Sequence, residues 1–246
     1  SLGAYYIGLG DAIDLMSPSN RQRYAAAALY DTVENIVDRA AQNLVHDLYE
    51  RVLKPCRGRV LGMLSGHHYH VYKAGHTTDM ELCHLLETQF AGTSAFIRLL
   101  IKEGSQRRGT VALFVHHGEG GGQKAAAPLN KLENLAVHFD ADILVCGHMS
   151  KQAVAPINRI VPRWDGHGAP DLVHKRITLV GSGAWHKGYV VGMKQGQIPR
   201  GTYVEQKMLS PVTIGAPIIY ITPKIHESHE NGKRHRSFDY SVTVEV

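Results

Sequence analysis

Cysteine is scarce in this chain of 246 residues, where Cys56, Cys83 and Cys146 are the only three. An odd number of cysteines set far apart offers neither a disulfide framework nor a zinc spacing such as C-x-x-C. They read as reduced core residues, and the protein is expected to be cytoplasmic. Long apolar runs are missing as well. None approaches the roughly 18 residues that a bilayer-spanning helix needs, so no membrane partner is expected. No charged-then-apolar leader points to export. Repeats, low-complexity tracts and linkers are absent, and a single domain over 1–246 is the simplest expectation. Within it, 1–150 reads as an α/β part and 151–246 as β-rich. Charge of one sign is not concentrated: 27 Lys and Arg stand against 22 Asp and Glu, for a net +5. That mild excess suits anionic substrates, but its scatter gives little support to a nucleic-acid partner. Oligomeric state is not legible.

Histidine is abundant, with sixteen in the chain. Neutral imidazole is a common transition-metal ligand, so their placement matters. The apolar run Val60–Leu64 stops at Ser65-Gly66 and is followed by His67, His68 and His70. A short apolar run closed by Gly reads as the end of a buried strand, and side chains just past such ends face the ligand crevice of open α/β sheets. The pattern recurs. Ala4–Leu9 ends at Gly10-Asp11, Thr110–Val115 at His116-His117-Gly118, and Ala141–Cys146 at Gly147-His148.

Between these strands the spacing predicts a long amphipathic helix from about Arg21 to Val52. Its apolar face is Val33, Ile36, Val37, Ala40, Leu44, Leu48 and Val52. Shorter helices are expected over Met80–Gln89 and Pro128–Phe139, with a strand over Ala95–Ile101. Past residue 150, strands are expected at Ile177–Val180, Tyr189–Val191, Thr202–Gln206, Ile218–Ile221 and Ser241–Val246. The polar run His226–Arg236 reads as a solvated loop. Asp79, after Thr77-Thr78, reads as a helix cap, and Gly120–Gly122 as a flexible loop before a phosphate cradle. The class is α/β.

Carboxylate and imidazole ligands together suit Zn, Fe, Mn or Ni better than Ca or Mg. Two such ions close together clamp the attacking and leaving oxygens of a phosphoryl centre, and an unligated His beside them can protonate the leaving alkoxide. The strand-end residues therefore point to metal-assisted hydrolysis of a phosphate ester.

In order along the chain, Gly10-Asp11-Ala-Ile-Asp14, Gly66-His67-His68, His116-His117-Gly118 and Gly147-His148-Met149-Ser150 resemble the motifs of the calcineurin-like metallophosphoesterases. The stretches His116–Gly122, Pro128–Glu133 and Gly181–Tyr189 are similar to phage-type members in particular. The resemblance implies a two-sheet α/β sandwich of αββα layers and two divalent metal ions. It implies Asp11 as the bridging carboxylate, with His67 standing in place of a metal-binding Asn. His68 would be the catalytic acid, Asp14 its orienting partner and His148 a further ligand. One of His116 and His117 would be a ligand, and the resemblance leaves open which. Gly10, Gly66 and Gly147 support the turns, and Arg21 either meets the phosphate or stands solvated at a helix start.

Two family features depart here. The D-x-H motif expected upstream of Asp11 is not in the chain, which suggests that the first strand and the true beginning are missing. Ser150 replaces the last His of G-H-x-H. The expected function is metal-dependent hydrolysis of a phosphomonoester or phosphodiester through a metal-bound hydroxide. Alternatives are a nuclease of the same fold and a non-catalytic metal-binding or scaffold domain.

Overall fold

A computed structural model of the chain describes residues 3–119, 124, 126–164, 168–192, 194–195, 198–199, 201–212, 214–230 and 233–246. Gly120–Gly122 therefore lie outside the described residues. The architecture is mixed α/β, in two compact units. The first comprises Ser1–Ala95 with His116–Gly118, and the second Phe96–Val115 with Glu119–Val246. Among the described residues no helix is long and apolar enough to cross a membrane.

In the first unit, β1 (Tyr6–Gly8) runs parallel to β2 (Val60–Met63). Bare glycine at 8 lets the strands approach, since a Cβ there would lie 2.7 Å from Met63 Cγ. On the other side of β2, Met63 N–H donates to Gln89 O and Ser65 N–H to Gly92 O. Helix α1 (Pro18–Ala26) opens with Ser17 accepting from Asn20 N–H and with Pro18 in the first turn, where its missing donor costs nothing.

The single helix expected over 21–52 is two helices. Ala28 takes a left-handed conformation (φ +46°), and α2 (Asp31–Leu48) starts afresh with Asp31 and Glu34 in its first turn. The apolar stripe begins only at Val33, so nothing on α1 is buried to hold it in line with α2. The buried face of α2 also lies about one residue from the expected one. Ala41, Val45 and Tyr49 face inward at spacing four, while Val33, Ile36, Leu44 and Val52 are exposed. A π turn (Tyr49–Leu53) follows, then α3 (Thr78–Leu86). Val45, Tyr49, Met63, Leu82, Cys83 and Leu86 make the core of this unit, and burial pushes the Cys83 thiol up to about 12.

The second unit is built on a five-stranded mixed sheet of β3 (Ser94–Glu103), β4 (Gln106–His116), β5 (Ile143–Cys146), β6 (Gln152–Arg163) and β7 (Asp171–Ser182). Their order is β3-β4-β5-β7-β6, with β5 and β7 parallel and β6 and β7 antiparallel. Helix α4 (Ala127–His138) packs on β5, β6 and β7. Its Leu132 and Ala136 are buried with Phe114, Leu144, Cys146, Ile177 and Leu179.

Several expectations for the last hundred residues are corrected. Strand β6 was not foreseen, and Tyr189–Val191 is a turn in which Tyr189 has φ +57°. Thr202–Gln206 holds a short helix, α5 (Tyr203–Gln206), rather than a strand, because Thr202 and Glu205 cap it reciprocally. The short strands β8 (Lys194–Gln195) and β9 (Ile198–Pro199) pair antiparallel. Of the expected loop His226–Arg236, residues 226–230 lie on β10 (Ile218–Glu230) and 233–236 on β11 (Lys233–Glu245), which pair antiparallel in register from Ile218↔Glu245 to Glu230↔Lys233, while 231–232 lie outside the described residues. Polarity misled there. The hairpin has an apolar base, with Phe238 packed over Gly109, and the ladder continues from that base through the polar residues.

Candidate metal centre

Three segments of the first unit meet: Leu9–Asp11 after β1, Ser65–His68 after β2, and His116–Gly118. Backbone bonds hold them together. Leu64 N–H donates to Gly8 O at 2.8 Å, and His117 N–H to Thr93 O at 2.9 Å. Two glycines make the approach feasible. At Gly10, with φ +88°, a Cβ would stand 2.6 Å from Gly66 N and 2.7 Å from His117 Nδ1. At Gly66 a Cβ would collide with the backbone and carboxylate of Asp11. Side chains rarely tolerate either situation.

Asp11 itself is left-handed (φ +53°), a conformation that Asp accepts more readily than most residues. Its Oδ1 accepts from His67 N–H at 2.5 Å and His68 N–H at 2.9 Å. Its Oδ2 stands 3.3 Å from His117 Nε2. The His67 ring meets the His117 ring edge-on, with centroids 4.5 Å apart. Asp11, His67 and His117 offer ligand atoms within 4.8 Å of one another, a group able to hold a metal ion.

The chemistry of the donors supports that capacity. His117 is 1% exposed, and its Nδ1–H donates to Leu9 O at 2.5 Å. That bond fixes the tautomer and aims the Nε2 lone pair at the Asp11 carboxylate. Two lone pairs facing each other in a buried place repel unless a proton or a cation lies between them. Burial opposes charging of His117, but the Asp11 carboxylate and Leu9 carbonyl outweigh it and raise its pKa above the ordinary imidazole range. A transition metal would satisfy the same pair.

His116 is turned to another task, since its Nδ1 accepts from Gly118 N–H at 2.7 Å. Burial and the neighbouring His117 both lower its pKa. Of the two adjacent histidines, it is His117 that stands in the group able to hold a metal ion. In the second unit His148 follows β5 in a left-handed conformation (φ +50°) and is half-buried, next to the buried Gly147. Ser150 is exposed.

His68 projects from the same turn as His67. Its Nδ1 pairs with Asp14 Oδ1 at 2.6 Å. Arg21 does not stand solvated at the helix start as expected. It is half-buried, and its Nη1 donates to Met16 O and His67 O at 2.6 Å and Tyr69 O at 3.1 Å, with the guanidinium over the Tyr69 ring. Leu15 and Met16 N–H both donate to His68 O. The loops carrying Asp14 and His68 are therefore tied together.

Two buried residues escaped sequence reasoning. Asp79 is not the helix cap. Thr77 fills that place by accepting from Met80 N–H, and Asp79 Oδ2 accepts from Gly66 N–H at 2.8 Å. Burial raises the Asp79 pKa above the usual carboxylate range, against the Gly66 bond, and the Asp11 charge raises it further. His70, 1% exposed, pairs through Nε2 with Asp38 Oδ1 at 2.6 Å, joining the His turn to α2. A Thr directly ahead of a Thr-Asp helix start was the available signal for Asp79. For His70 there was none. No protein-family model, curated protein or solved structure matches this chain.

Proposed function

We propose that the chain is a metal-dependent phosphoesterase of the calcineurin-like kind, with the two-sheet α/β sandwich of that family as its fold. The observation that carries this reading is the face-to-face placement of Asp11 Oδ2 and His117 Nε2 beside His67, one turn from the Asp14–His68 pair. Asp11, His67 and His117 would hold a transition-metal ion. When bound, the ion supplies Lewis acidity toward a phosphate ester and lowers the pKa of water.

The remaining work falls to side chains. His68 has Nδ1 tied to Asp14, and its Nε2 would carry a proton to the departing alkoxide. Asp14 keeps the ring oriented and stabilises the imidazolium before transfer. Arg21, engaged with three carbonyl groups, shapes the turn that carries His68.

The test is hydrolysis of an aryl phosphomonoester and an aryl phosphodiester over a manganese titration, with bound metal measured on the same samples. His68→Ala should lower kcat by about 10²–10⁴-fold and leave metal content unchanged. A rate untouched by His68→Ala sinks the assignment of His68. A second reading, a non-catalytic metal-binding domain, is favoured by one feature: Ser150 brings a hydroxyl where the resembled motif has imidazole. Stoichiometric metal without turnover of either ester would establish it.

A further inference from the structure

We propose that Asp79 is a positioning residue for the metal group, holding Gly66 so that the next two amides are presented to Asp11. The proposal rests on the metal reading of Asp11, His67 and His117. Three successive N–H groups, those of Gly66, His67 and His68, point at two carboxylates. Asp79 Oδ2 takes the first at 2.8 Å, and Asp11 Oδ1 takes the second and third at 2.5 and 2.9 Å. A row of backbone amides of this kind is an anion-binding concavity, and its position along the row decides where an anion sits.

With Gly66 N–H satisfied elsewhere, Asp11 Oδ1 settles over the last two amides, and Oδ2 is left facing His117 Nε2. Without Asp79, the Gly66 amide is a buried donor seeking an acceptor, and the nearest anion is Asp11. Sliding Oδ1 toward it rotates Oδ2 away from His117. The carbonyl side of the turn offers no compensation. His67 O and Tyr69 O are taken by Arg21, and His68 O by Leu15 and Met16 N–H.

Asp79 is well placed to be rigid. It stands in the first turn of α3, whose Leu82, Cys83 and Leu86 are buried in the core of the unit. Thr77 performs the capping, which frees the Asp79 carboxylate for Gly66.

The experiment compares the wild-type chain with Asp79→Asn, Asp79→Ala and Thr77→Ala. It measures manganese affinity by calorimetry and amide hydrogen exchange at His67 and His68 on the metal-free protein. Asp79→Ala should weaken manganese binding about 10–100-fold, as loss of partners behind metal ligands does. Both amides should then exchange faster. Asp79→Asn, which keeps an acceptor oxygen, should restore both readouts. Thr77→Ala, which loosens the helix start without touching Gly66, should lower the melting temperature and move neither. If Asp79→Ala does not fold, Asp79→Ser, too short to reach Gly66, takes its place. Wild-type affinity and protection in Asp79→Ala would overturn the proposal, as would an Asn variant as impaired as Ala. A wild-type chain that binds no manganese defeats the metal reading, and amide exchange alone then decides the role of Asp79.

Discussion

Asp14 and His68 form a short pair, yet the Asp14 side chain is 85% exposed. Exposed ion pairs contribute little to stability. Asp14→Asn should therefore leave the melting temperature where it is and lower kcat roughly tenfold by losing the ring's orientation. A fall in melting temperature without a rate change would assign the pair a structural role. His117 titrates in the opposite regime, buried against a carboxylate. Its folded pKa is raised, so in metal-free protein it contributes stability that is full below the unfolded imidazole pKa, about 6.5. That contribution is lost as pH rises through the folded value. The lowered pKa of His116 works against it. The clean readout is therefore the stability difference between wild type and His117→Gln, which should be larger at acid than at alkaline pH. Residue chemistry of this kind was half legible. A Gly beside His or Asp at a strand end marked Asp11, His67 and His117. Nothing local told His117 from His116, because the Leu9 carbonyl that orients His117 lies 108 residues away.

Elements show the same division. Strands β2, β4 and β5 and helix α4 fall where apolar periodicity places them, since each buries a face that its own residues supply. Helix α2 shows the limit of that reasoning. Two stripes one residue apart are both apolar, and the one that faces Met63 and Leu82 is chosen by packing. The β10–β11 hairpin shows it again, and it yields a test. Gly109 in β4 lies under the Phe238 ring, with no room for a Cβ. Gly109→Ala should destabilise by about 1–3 kcal/mol through overpacking, measured by denaturant unfolding. Adding Phe238→Leu should recover part of the loss, and a double variant no better than the single one would refute this packing.

Charge divides unevenly over the whole molecule. The first unit has 8 Lys and Arg against 10 Asp and Glu, and the second 19 against 12. The net charges are therefore −2 and +7, and the unit carrying Asp11, His67 and His117 is the acidic one. Arg21, the cation on the His turn, is committed to carbonyl groups. On the phosphoesterase reading, attraction of a phosphate anion to this group would come from the metal. Calorimetry should detect inorganic phosphate binding with metal present and none after chelation, and equal affinity in both would contradict this account. Metal that binds only the folded chain should also raise the melting temperature. At a hundredfold excess over its Kd it stabilises by about 2.7 kcal/mol, and chelator should reverse the gain.

By itself the sequence determined the α/β class, the strands that end in Gly with His or Asp, and the imidazole and carboxylate groups that those ends carry. These are local properties, set by periodicity and by what a chain does where a buried strand stops. Tertiary structure alone decided which histidine points inward, that Arg21 braces the His turn, and that Asp79 sits beneath Gly66 rather than capping α3. Each of those outcomes is a hydrogen bond between residues 13 to 108 positions apart. Such a bond forms only after separate elements have packed together, so local sequence does not announce it.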